Sequence, residues 1–319
     1  MKQQTPFAHI LRVGMLVGAF VGTLASCSQE VLPPRGHILL FFDTDARIPL
    51  PTDQQTLGDA VSSAPLFDRL NIEVFEPGAS SPCLGCRREI ALDRRALSER
   101  RASIQIPATE GVIGYRVRAR LFLAAHAVSG EAARQGTVEV VGALAPAPKE
   151  GGTEQTLFLA TDDVGVPRGT LEQPRPLADG RPATSRVGTW NCAVRIPCRG
   201  EAPSNEGCIP GGAFWMGRPG ESANLPYLGA DRPRLVVLAP YFLDEAEVSV
   251  ADIRAFEKSE PGVVAWSGKT TGKERIDFCT FTANRGSRDA LPVSCTFWPT
   301  ARHYCLSRGQ DLPTEAQFE

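Results

Sequence analysis

Apolar positions recur with a period of two through the first half of the chain. The clearest case is Gly114–Leu123 (GYRVRARLFL): Tyr115, Val117, Ala119 and Leu121 fall on one side, Arg116, Arg118 and Arg120 on the other. That alternation describes a strand with one dry and one wet face. His37–Phe42, Asn71–Phe75, Arg88–Leu92, Ala102–Ile106, Thr137–Val141 and Gln155–Ala160 read as further strands, most of them separated by Gly, Pro or Asp/Asn clusters. Seven short strands within residues 36–165 predict an immunoglobulin-like β-sandwich. The Cys…Trp…Cys spacing of antibody domains is absent, so the assignment is to a fold class only.

Residues 166–207 are rich in Pro, Gly and Arg and carry no period, which predicts a linker between domains. The pattern changes at Cys208. Glycines surround a short apolar strand at 210–217 (PGGAFWMG), and apolar runs follow at Leu235–Leu238 and Tyr241–Leu243. Ser249 with Asp252 forms a capping box, and Ile253 and Phe256 share one face of the helix that it starts. Pro299 opens a second helix and Gly309 stands just past its end. Thr314 with Gln317 is another capping box. The helix it begins reaches residue 319 within about one turn, too little to sustain itself, so the domain is expected to be incomplete in this sequence.

Composition narrows the function classes. The 319 residues carry a formal net charge of −2, which gives no electrostatic footprint for nucleic acid. Nine cysteines against four histidines favour an oxidising compartment. Lys2 and Arg12 precede an unbroken apolar run over residues 13–24, too short for a permanent span and suited to a signal peptide. The run ends in Leu24-Ala25-Ser26-Cys27, which resembles the lipobox of bacterial lipoproteins. That resemblance implies acylation of Cys27, removal of residues before it and a lipid-anchored place in the cell envelope. Ser28 in place of Asp favours the outer membrane under the sorting rule of some Gram-negative bacteria. The membrane is then reached through the anchor.

Setting Cys27 aside leaves eight cysteines, an even number that suits disulfides. Cys83-Leu84-Gly85-Cys86 could be half a zinc site or a redox pair. With no second CxxC and strand-like residues following, a structural clip is the reading kept. Cys279 and Cys295 flank a polar loop and are expected to pair, as are Cys198 and Cys208, leaving Cys192 and Cys305. Asp43, Asp45, Asp162 and Asp163 could hold calcium, but lack EF-hand spacing and read as turn and cap residues. His37, His126 and His303 are scattered, two expected in strands and one on a helix, and Trp215, Trp266, Trp298, Phe214 and Phe297 are expected in the core. No metal site is assigned within the chain.

From residue 208 onward the sequence resembles the N-terminal half of the formylglycine-generating enzyme (sulfatase-modifying factor) domain. The resemblance rests on Gly211, Gly212, Met216 and Gly217, on Asp231 and Pro233, on Glu247-Val248, on Trp298, Ala301 and Tyr304-Cys305, and on Leu312-Pro313-Thr314-Glu315-Ala316. Ser249-Val250, Ile253, Thr300 and Gln317-Phe318 depart from the usual pattern. The resemblance implies an α+β, C-type-lectin-like domain over residues 208–319. It also implies a copper ion held by two cysteines, calcium, and oxidation of a protein cysteine to formylglycine by oxygen. The family's copper cysteines and calcium ligands follow the LPTEA motif, so no residue here inherits a catalytic role. Cys305 resembles a cysteine bonded to that later half. The expectation is therefore a β-rich, multidomain lipoprotein with a non-catalytic module for an unknown protein or polysaccharide ligand. Copper-dependent cysteine oxidation is the alternative.

Overall fold

The computed structural model describes residues 36–51, 64–107, 110–128, 131–132, 134–193, 195–217, 233–260, 279–281 and 284–319. The leader with Cys27, together with Asp231 and Trp266, lies outside them. The chain is β-rich with few helices. Strands in order are β1 (His37–Thr44), β2 (Arg69–Phe75), β3 (Arg87–Ala91), β4 (Ser103–Pro107), β5 (Arg116–Phe122), β6 (Ala127–Val128), β7 (Glu131–Ala132), β8 (Thr137–Ala143), β9 (Gly152–Leu159), β10 (Arg175–Pro176) and β11 (Ala178–Asp179). A short helix, α1 (Arg94–Ser98), is capped by Asp93, whose side chain accepts from the Ala96 amide.

Two sheets share one core. One runs β11-β9-β1-β4 and the other β10-β8-β5-β2-β3. Strand β1 is central, antiparallel to β4 and parallel to β9, with Leu40 opposite Ile104 and Gln155. Ile38, Leu40, Leu157 and Leu159 from the first sheet meet Leu70, Ile72, Val117 and Leu121 from the second, all essentially inaccessible to water. At about 25 cal/mol per Å2, each such side chain contributes about 2 kcal/mol before chain entropy is charged against it.

The wet face of β5 is ion-paired instead of bare. Arg118 donates to Glu73 at 2.7 Å and Arg120 to Glu139 at 2.6 Å. Glu73 itself is 4% exposed, a position a carboxylate keeps only when it is paired.

The first part of the stretch expected to link two domains is threaded along both sheets. Strand β10 adds to β8 and β11 adds to β9. Arg168 donates to the Glu139 carbonyl and receives the Val141 amide, both at 2.8 Å. The Arg186 amide donates to the Asp43 carboxylate at 3.2 Å, and Trp190 Nε1 to Asp162 at 2.8 Å. These are single, irregularly spaced bonds, so no period announces them.

Beyond them come β12 (Glu206–Ile209), β13 (Gly212–Met216), β14 (Arg234–Leu238) and β15 (Tyr241–Asp244), then helices α2 (Val250–Ser259), α3 (Trp298–Ser307) and α4 (Glu315–Phe318). They form two antiparallel ribbons, β12 with β15 and β13 with β14. Both expected capping boxes are present, at Ser249/Asp252 and Thr314/Gln317. Val250, Ile253, Phe256, Phe281 and Tyr304 make a second, smaller core. Trp298 and Phe297, expected inside, are each 63% exposed. They sit at the start of α3, where Arg302 lies over the Trp298 ring.

Candidate functional site

The glycines of the 210–217 strand have a steric reason. A Cβ at Gly211 would stand 2.6 Å from the Pro240 nitrogen and 2.7 Å from the Leu238 oxygen, both backbone atoms that cannot step aside. Gly211 also exchanges both backbone bonds with Ile196. Gly217 has φ +86°, a left-handed conformation open to glycine. Gly212 begins β13 opposite Leu238, and Met216 is buried at its end.

That strand is bolted to the two-sheet body. Trp215 Nε1 donates to the Leu66 carbonyl at 2.7 Å. The indole meets Phe67 and His126 edge-on, at centroid distances of 5.9 and 5.0 Å. Arg47 is buried and spends its guanidinium on the carbonyls of Ala64, Ala193 and Ala213, at 2.7, 3.1 and 2.7 Å. Burial, and then the neighbouring Arg195, pull its pKa down. Arg47 was not singled out from the sequence, and His126, expected in a strand, instead ends the one-turn helix Ala124–His126. A lone Arg after a strand carries no local signal of burial, and a lone His in the apolar run 121–128 does not reveal which ring it will meet.

Of the remaining motif residues, Glu247, Val248, Cys305, Leu312 and Pro313 line a cleft of about 710 Å3. Strand β15 supplies Tyr241 and Leu243, the turn after it Glu247 and Val248, α3 supplies Cys305, and Leu312 and Pro313 close the far side. Hydrogen bonds hold the walls. Gln310 Nε2 donates to Glu206 at 2.6 Å, and Arg302 grips Asp311 with two bonds of 2.9 Å. Arg308 reaches the Tyr304 hydroxyl at 3.1 Å and Asp244 at 3.4 Å. The Tyr241 hydroxyl donates to the Gln317 carbonyl, tying α4 across the cleft. Val248 receives the Val293 amide at 2.8 Å, while Glu247 is an exposed part of the cleft wall. Thr314 caps α4, and exposed Glu315 faces Arg234 at 3.5 Å.

Cysteine chemistry follows the expected pairing. Cys83–Cys86, Cys198–Cys208 and Cys279–Cys295 are disulfides, and Cys192 and Cys305 are free thiols. The Cys305 thiol has its pKa pushed up, first by burial and then by the Asp244 carboxylate, with Arg308 opposing. It is therefore held as a thiol near neutrality, the unreactive form. Cys192 packs on the two-sheet core and Cys305 on the small second core. A copper(I) site of the two-thiolate kind calls for a pair of free sulfurs in one pocket. The described residues do not fit it, because the two free thiols lie in separate clusters.

Carboxylates are likewise committed to structure. Asp45 accepts the Thr161 amide and hydroxyl at 2.8 and 2.7 Å, and Asp163 binds Arg168 at 2.6 Å. Among the described residues, no three His, Cys, Asp or Glu side chains cluster as metal ligands. No helix among them is long and apolar enough to cross a membrane.

Residues 198–319 match the family described as the sulfatase-modifying factor enzyme 1-like domain. The strand at 210–217, the two capped helices and the cleft all lie within the matched residues. No curated protein matches the chain.

Proposed function

We propose that this chain is an exported, lipid-anchored envelope protein whose family domain works as a binding module. Cys27 carries the acyl anchor in this reading. The compartment is supported by three disulfides, which persist outside reducing cytosol. The two-sheet body is an immunoglobulin-like sandwich that presents a C-type-lectin-like domain, and the outer membrane is the site of anchoring.

One observation carries the non-catalytic reading. Cys305, the free cysteine of the family segment, is kept protonated, while Cys198, Cys208, Cys279 and Cys295 are bound in disulfides. The cleft beside Cys305, about 710 Å3, is of the size that takes a small ligand or a protein side chain. A protein or polysaccharide partner is proposed there, without nucleic acid.

The family match favours a second reading, copper- and oxygen-dependent oxidation of a protein cysteine to formylglycine. Copper would supply oxygen activation and calcium a structural tie. Incubating the purified, copper-treated chain with a cysteine peptide of the sulfatase type separates the two. The binding reading expects the thiol mass to persist. Conversion to an aldehyde above a metal-only control establishes the oxidase.

A further inference from the structure

The two sheets leave one side of their shared core open. Strand β3 ends one sheet and β4 ends the other, so both present unpaired edges. A cleft of about 450 Å3 enters between them. Its walls are Ile72, Val74, Ile104 and Ile106, with Tyr115 beside them and the Cys83–Cys86 clip at the rim. The tip of the clip is fully solvent-exposed Leu84.

Arg88 is out of phase with this setting. It stands opposite Ile72 in the β2–β3 register, and so shares the core-facing side of the sheet with that residue. An edge strand at that phase ordinarily carries an apolar side chain. The neighbouring arginines are matched: Arg87 lies 3.8 Å from Glu73 and Arg69 lies 3.6 Å from Glu89. Arg88 has no acidic partner among the described residues, yet it lines the cleft. Glu76 lines the same cleft and likewise makes no ion pair among the described residues. One cation and one carboxylate, unpaired with each other, therefore flank an apolar slot.

The geometry points to a binding site for a short apolar peptide with free ends, of about dipeptide size. The apolar side chains enter between the sheets, the terminal carboxylate meets Arg88, and the terminal ammonium meets Glu76. A lone carboxylate ligand would be repelled by Glu76 and a lone amine by Arg88, so the zwitterion is the class that satisfies both. Volumes of about 300–1,000 Å3 are usual for small-ligand pockets, and two leucine residues fit within this one. The site is separate from the cleft beside Cys305 and does not depend on the function proposed there.

The test is a titration of the full chain with Leu-Leu, followed by calorimetry. N-acetyl-Leu-Leu and Leu-Leu amide serve as probes lacking one charge each. Saturable one-to-one binding is expected, weakened about fivefold by either modification, as suits solvent-accessible ion pairs. Arg88→Gln should weaken the free acid about fivefold and leave the amide unchanged. Glu76→Gln should weaken the free amine equally and leave the acetylated probe unchanged. Ile104→Trp, with its fold checked by near-ultraviolet circular dichroism, should abolish binding by filling the slot. Absence of saturable binding, or affinities indifferent to both charge variants, overturns the proposal. Arg88 would then serve only to keep the β3 edge from pairing with another strand.

Discussion

The indole of Trp215 is held between Leu66 and His126: its Nε1 donates to the Leu66 carbonyl at 2.7 Å, and its ring meets the imidazole at 5.0 Å. This contact joins the glycine-flanked strand of the family domain to the two-sheet body. Trp215→Phe should cost about 1 kcal/mol, the net worth of the lost bond. Trp215→Ala should cost about 3 kcal/mol, since it also empties the aromatic contact. Urea unfolding of the variants checks both values.

His126 makes that junction sensitive to acid. It is 6% exposed, its Nδ1 has no partner, and burial lowers its pKa below the usual value of about 6.5, with the Asp68 charge opposing. A depressed histidine pKa means that the unfolded chain takes up the proton first. Its contribution is therefore intact above about pH 6.5 and falls as pH drops from there toward the folded-state pKa. His126→Phe should flatten this part of the stability–pH curve, measured as the denaturation midpoint between pH 5 and 7.5. A slope unchanged in the variant would assign the effect to other groups.

Arg47 fastens three separate segments through the carbonyls of Ala64, Ala193 and Ala213. Arg47→Ala strands those acceptors and should destabilise the fold by about 3 kcal/mol. Arg47→Met, which keeps the length of the chain, should recover only the packing share. Thermal unfolding of the two variants separates packing from hydrogen bonding.

The regular elements were legible because a buried face imprints a period. All seven expected strands are present, and β5 keeps Val117, Ala119 and Leu121 inside as its alternation requires. The three disulfide pairs followed from sequence proximity. The path of residues 166–190 was not legible, because contacts such as Asp43 with Arg186 depend on residues far apart in sequence. Trp298 misled for the opposite reason: size suggested burial, but its place on the first turn of α3 leaves it facing water. Arg47, His126 and Arg88 owe their roles to neighbours that no local window contains.

The disulfides divide the thiols into two groups. Alkylation of the folded chain followed by non-reducing peptide mapping should label only Cys192 and Cys305 among the described cysteines. Cys305 should react slowly at pH 7 and speed up in more alkaline buffer, because its pKa is raised. Loss of the Cys279–Cys295 bridge, which closes a loop of sequence separation 16, should cost about 3 kcal/mol in the chain-entropy view. Cys279→Ser with Cys295→Ser, unfolded in urea, gives that number.

The proposed lipid anchor would rest on one sulfur. Cys27→Ser should end incorporation of labelled fatty acid and leave the precursor unprocessed or the product soluble. Labelling that continues in the variant would remove the lipoprotein reading.

The central claim, that the family domain as folded here binds without oxidising, turns on whether two thiolates can meet around copper. Copper(I) titrated into the full chain against bicinchoninate, with sulfur coordination read by X-ray absorption, measures this directly. The account predicts no tight equivalent of copper(I) on two sulfurs, and no change on Cys305→Ser. One tightly held copper(I) on two sulfurs, lost in Cys305→Ser, would contradict it.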